Sequence, residues 1–115
     1  MKISSFIILF LIVCSCKKDK VELYSTSNCS DTVSFNTEIL PIIIANCYAC
    51  HDNGQNGYSF TNHANISANS SAIIGSMRNS GFLLMPRDGN NISYALPDSI
   101  IQRVECWIDQ GKKNN

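Results

Sequence analysis

The sequence predicts a small all-α domain, and three observations carry that expectation. Residues 37–48 and 97–111 both place apolar side chains at helical spacing. No run reads as a convincing strand. The stretch between the two helical segments is rich in Gly, Asn and Ser, so it reads as loop with short helical turns.

The chain opens on a segment to be set aside before any fold reasoning. Lys2 supplies a positive start, and the apolar run "ISSFIILFLIV", residues 3–13, is too short for a comfortable membrane span. It fits the apolar core of a secretory signal. The following "CSCKKDK" resembles a bacterial lipoprotein signal, in which a cysteine after a small residue is acylated and becomes the new N-terminus. Cys16 follows small Ser15, whereas Cys14 follows branched Val13, so Cys16 is the expected lipidation residue. An uncleaved anchor is the plainer alternative. Residues 1–15 are thus read as signal peptide, 16–32 as lipidated N-terminus and polar tether, and 33–115 as the folded domain.

Removing residues 1–15 leaves 100 residues with eight basic and nine acidic side chains, a formal charge of −1. No basic stripe points to nucleic acid. A domain of this size is marginal without a covalent staple or a cofactor.

The first predicted helix runs from about 37 to 48, with Asn36 and Thr37 as candidate N-caps and Glu38 suiting the N-terminal dipole. Ile39, Ile42, Ile43 and Cys47 recur at helical spacing, and Pro41 falls in or just after the first turn. "TNHANISAN" and "SSAIIGSMRN" each suit one helical turn, the second with Ile73, Ile74 and Met77 facing inward. The last helix opens with Pro97 at its first position and Asp98 suiting the N-terminal dipole, carries the stripe Ile100, Val104, Trp107 and Ile108, and stops at Gly111.

The first helix delivers "CYACH", the pattern Cys47-x-x-Cys50-His51. One turn of chain then offers two sulfurs and an imidazole to a single ring, the mark of c-type haem attachment by two thioethers and an iron-ligating histidine. A structural zinc site needs four ligands, and here at most three are near one another, with His63 as a distant fourth. A redox dithiol wants a strand and helix pattern that is absent. A simple Cys47–Cys50 disulfide is the plainest alternative.

If haem is bound, the iron's sixth position falls to Met85, Met77 or His63. Methionine with histidine is the usual electron-transfer pair. Met85 lies 34 residues beyond His51, and Pro86 after it stiffens the loop that presents it. Met77 sits in an apolar turn and suits packing. His63 is only twelve residues past His51 and must cross to the ring's other face. Asp52, Arg87 and Asp88 read as solvated or propionate-facing loop charges, and Asn53, Gly54 and Gly57 as turn formers.

Taken together, "ILPII" over Ile39–Ile43, Cys47 to His51, Met85-Pro86 and the final "I…WID.G" helix from Ile100 to Gly111 resemble a class I-like cytochrome c domain. More narrowly, they resemble the small lipoprotein cytochromes c of Gram-negative bacteria, over about residues 33–112. The resemblance implies thioether anchors at Cys47 and Cys50, His51 as proximal ligand and Met85 as distal ligand. It implies N- and C-terminal helices packed around one covalent haem c, with Trp107 meeting Ile39 or Ile43 near the haem edge. The first helix departs from the family pattern by carrying Ile43 or Ile44 where a small residue eases a close crossing.

In an oxidising compartment Cys29 and Cys106 are a disulfide candidate that closes a 78-residue loop. The expected function is that of a membrane-tethered electron carrier, not an enzyme, exported to the periplasm or the outer-membrane surface. Its partners are a redox donor and acceptor, and the lipid reaches the membrane. Two rivals remain: a five-coordinate haem sensor or peroxidase-like domain, and a haem-free disulfide or metal-binding lipoprotein.

Overall fold

The computed structural model describes residues 29–115 apart from Asn53, Gln55 and Asn56. The expected signal peptide, Cys14, Cys16 and most of the expected tether lie outside the described residues. Among those residues the chain is mostly helical and has no strand, in line with the all-α expectation. An isolated antiparallel bridge joins Arg87 to Ser93. No helix among them is long and apolar enough to cross a membrane.

Helix α1 runs without a break through Phe35–Ile39, Leu40–Ile43, Ile44–Tyr48 and Ala49–His51. The first and third of these segments are wound as π turns. Pro41 explains the first. It has no N–H to give to the preceding turn and its ring crowds the carbonyl there, so Leu40 N–H reaches back to Phe35 O instead. The helix starts two residues before the predicted position. Ser34 is the N-cap: its Oγ accepts from Thr37 N–H at 3.3 Å, while Glu38 Oε2 accepts from Ser34 N–H at 2.8 Å. Further N-terminal donors are met by the chain's last residue. Asn115 Oδ1 accepts from Phe35 N–H at 2.9 Å, and its backbone O accepts from Asn36 N–H at 2.9 Å.

Helix α2 spans His63–Ala68 and helix α3 spans Ser70–Met77, both longer than the single turns expected. Ile73 and Met77 are buried and Ile74 half-buried. Helix α4 spans Asp98–Asp109, with Pro97 one position earlier than predicted, as its N-cap. Gly111 closes it in the left-handed region at φ 88°. Gly111 N–H bonds Ile108 O and Lys112 N–H bonds Trp107 O, the paired bonds of a Schellman stop. The fully buried stripe is Ile101, Val104 and Trp107, with Ile100 and Ile108 at its half-buried margins.

Helix α1 packs on α4, and the core gathers Val33, Phe35, Ile39 and Ile43 from one side and Ile101, Val104 and Trp107 from the other. Phe35 and Trp107 meet with ring centroids 5.6 Å apart. Burying Ile43 completely, with Ile44 turned outward, accommodates the bulky residues at this crossing.

Residues 29–32, the end of the expected tether, are fastened to the domain. Cys29 is disulfide-bonded to Cys106, with Cα atoms 5.5 Å apart. Gln110 clamps the same segment, donating to Asp31 O at 2.8 Å and accepting from Val33 N–H at 2.9 Å. Arg103 joins Asp31 and Glu38.

These ion pairs give the fold an acid limit. The Arg103 guanidinium holds Asp31 below its ordinary value of 3.8, and the Ser34 N–H, then Arg103, hold Glu38 below 4.5. A carboxylate depressed in the folded state stabilises it above its unfolded pKa, and that stability is lost as pH falls toward the folded value. Stability to urea is therefore expected to be level near neutrality and to decline below about pH 4.5. Arg103→Gln should flatten the decline only in part, because the Ser34–Glu38 bond survives. Urea midpoints for both proteins at about pH 7 and about pH 3 check this. Parallel curves of equal slope would refute it.

Candidate functional site

Residues 47, 50 and 51 stand at i, i+3 and i+4 of one helix, so their side chains share a face. That face forms one wall of a cavity of about 750 Å³. Other parts of the wall come from Phe60, from Ile73 and Met77 of α3, and from the loop carrying Met85 and Arg87. The volume falls within the ~300–1,000 Å³ that cofactor pockets span.

The histidine is oriented by the chain that follows it. The chain after α1 turns back beneath the helix end, where Phe60 N–H bonds His51 O at 2.9 Å. Tyr58 O then lies 3.4 Å from His51 Nδ1. A carbonyl can only accept, so this contact places the proton on Nδ1 and leaves the Nε2 lone pair available to a metal, the usual orienting bond of a ligating histidine. Phe60 flanks the imidazole with ring centroids 4.9 Å apart.

Met85 reaches the cavity because the loop before it closes tightly on α3. Gly75 permits this approach: a Cβ there would lie 2.4 Å from Phe82 Cδ2 and 3.0 Å from Ser80 O. Ser80 N–H bonds Gly75 O at 2.8 Å, and Met85 N–H bonds Ser76 O at 3.2 Å. Both Met85 and Met77 line the cavity, but Met77 is buried in the hydrophobic core while Met85 is outside that cluster and half-buried.

His63 lies elsewhere. Its Nε2 donates to Lys112 O at 2.8 Å, and its ring stacks edge-on to Phe35 at 4.7 Å. It holds the C-terminal tail, as does Trp107, whose indole N–H donates to Lys113 O at 2.9 Å. Neither His63, Trp107 nor Ile39 lines the cavity, so the α1–α4 crossing stands apart from it.

Asp88 is a turn builder. Its Oδ1 accepts from Asn90 N–H and Ile92 N–H, both at 2.9 Å, and shapes the loop after Met85. Arg87 lines the cavity, and its Nη1 donates to Asn91 Oδ1 at 2.9 Å. Its Nε is buried without a hydrogen-bond partner.

The thiols of Cys47 and Cys50 are free. Burial, with a smaller contribution from Cys50, pushes the Cys47 thiol up to about 11. A redox dithiol needs a lowered pKa, so this environment opposes that reading. Among the described residues no three His, Cys, Asp or Glu side chains are grouped to hold a metal ion, and the zinc reading finds no donor set there. The residues do fit a c-type haem: two thiols and an imidazole on one face, a thioether in the wall of the same largely apolar cavity, and a buried cationic N–H with no partner of its own. No family model, curated protein or solved structure matches the chain.

The motif, Met85 and the disulfide candidates could be named from the sequence. The orienting carbonyl of Tyr58, the flanking Phe60 and the permissive Gly75 carried no local signal.

Proposed function

We propose that this protein is a membrane-tethered c-type cytochrome that carries single electrons between redox proteins. The observation that carries the reading is the meeting of Cys47, Cys50, His51 and Met85 in the wall of one cofactor-sized, largely apolar cavity. Cys47 and Cys50 would hold the haem through thioethers, and His51 Nε2 and Met85 Sδ would ligate its iron. Bound there, the haem supplies a one-electron iron couple.

The chain's own work is to hold the ligands and exclude water. Tyr58 O fixes the imidazole, and the Ser76–Met85 backbone bond anchors the thioether loop on α3. Leu96, Ile73 and Phe60 give the cavity buried apolar walls, which with sulfur ligation would favour a raised potential. With His51 and Met85 both given to the iron, the site would offer no open position for substrate, so the protein reads as a carrier and not as an enzyme. Acylated Cys16 would attach it to a bacterial membrane after export, with the domain in the periplasm or at the outer-membrane surface.

Expression beside a cytochrome c maturation system tests this. A c-type pyridine haemochrome with one haem per chain is expected, with a sulfur-to-iron band in the ferric spectrum. Met85→Ala should abolish that band and lower the potential, while Met77→Leu should keep it. Loss of the band in Met77→Leu alone would move the distal ligand to Met77. A colourless chain would overturn the reading and leave a haem-free lipoprotein.

A further inference from the structure

Arg87 holds a positive charge that the folded chain does not neutralise. Its side chain borders the cavity, one nitrogen is tied to Asn91, and Nε is buried with no partner. A buried donor on a charged group is costly unless an acceptor meets it. The nearest acidic residue in sequence, Asp88, has turned its Oδ1 to two backbone N–H groups. The ion pairs among the described residues involve Arg78 and Arg103, not Arg87. The two other arginines of the domain bridge helices at the surface, whereas Arg87 alone of the three lines the cavity and has a buried nitrogen without a partner.

From this we infer that Arg87 is the anion anchor of the cavity, pairing through Nε with a carboxylate of the bound cofactor, a porphyrin propionate. The inference rests on the proposed haem reading and deepens it. A guanidinium is a fixed positive charge with planar donors suited to a carboxylate. Asn91 orients the group by taking Nη1, which leaves the Nε edge for the ligand. Asp88 positions Asn91 in turn, since Asn91 N–H bonds Asp88 O at 2.9 Å. Asn91 adopts φ 63°, a backbone state that asparagine tolerates better than most residues. The Met85 loop would thereby serve two ends of one ligand, a thioether for the iron and a cation for the ring's acidic edge.

The charge has a consequence for the couple. A cation paired with the propionate cancels negative charge that would otherwise favour ferric iron, so the potential is held higher than without it. The test uses the full haem-loaded protein and two variants, Arg87→Gln and Arg87→Lys. Haem per chain comes from the pyridine haemochrome, the potential from a spectroelectrochemical titration, and the propionate contact from its bending band in the resonance Raman spectrum. Arg87→Gln is expected to lower the potential and shift the propionate band while keeping the sulfur-to-iron band. Arg87→Lys retains the charge but not the planar donor, so it should shift the band with a smaller fall in potential. It also covers the case in which Arg87→Gln loads haem poorly. A haem-bearing pair of variants with wild-type potential and wild-type propionate band would overturn this inference alone. A wild-type chain without haem would overturn the parent reading and this one together.

Discussion

Replacing Cys47 and Cys50 together by alanine should yield a chain with no covalently held haem. After maturation, acidified acetone should remove all colour, and the pyridine haemochrome of the remaining polypeptide should fall to background. Each single variant should keep one thioether and show the intermediate spectrum of a ring retaining one vinyl group. The reason lies in the helix: Cys47, Cys50 and His51 sit at i, i+3 and i+4, and the cavity wall includes all three. Their thiols are free to react, since neither is bridged. A second effect follows from packing. A cavity of about 750 Å³ in so small a domain leaves its lining short of contacts unless something fills it. Thermal stability of the double variant should therefore fall well below that of the loaded protein, in step with lost haem. If colour survives acid extraction in the double variant, the attachment site lies elsewhere and the proposal fails.

How far the sequence disclosed this arrangement differs from residue to residue. The motif was legible because its chemistry is local: spacing within one helix puts three groups on one face. The stop of α4 was legible for the same reason, since Gly111 meets the left-handed geometry within a few residues. His63 was open as a distal ligand because its place depends on Lys112, 49 positions away, whose carbonyl no nearby pattern announces. The sequence pointed to Asn36 or Thr37 as N-cap, and the helix starts instead from Ser34. Burial of Val33 and Phe35 on either side, together with Glu38 reaching back, decides for Ser34. In α4 a 3.6-residue period leaves the helix phase uncertain by one position, so Ile101 and not Ile100 is the fully buried member. Arg87 and Asp88 looked alike as loop charges. Tertiary structure separates them, one feeding a turn and the other left with an unmet donor. The proposed cofactor is read from the motif, while the cavity that would receive it is assembled from four parts of the chain.

Cutting the Cys29–Cys106 bridge should be the largest single blow to the fold that leaves the cavity wall untouched. Cys29→Ser is the better variant, because Cys106 is buried in the core and Cys29 only partly so. The bridge spans 77 positions, and loop-closure entropy assigns such a crosslink roughly 4 kcal/mol. For a domain of this size that is a fall of roughly 15–30 °C in midpoint, set against a total stability of only about 5–15 kcal/mol. Local contacts should not compensate. Gln110 holds Asp31 and Val33 by two hydrogen bonds, and the Asp31–Arg103 pair is largely exposed, so each contributes little once the covalent tie is gone. The comparison is best made on haem-loaded protein, oxidised and then reduced, with Cys29→Ser alongside. Equal stability for the reduced wild type and the variant would assign the whole loss to the bridge. A loss under about 1 kcal/mol would mean that Gln110 and Arg103 suffice to hold residues 29–33, and that the unfolded chain is already confined by other means. In the expected case the domain relies on two covalent staples of different kinds. One ties its N-terminal segment to its last helix, and the other ties its first helix to the cofactor around which the loops close.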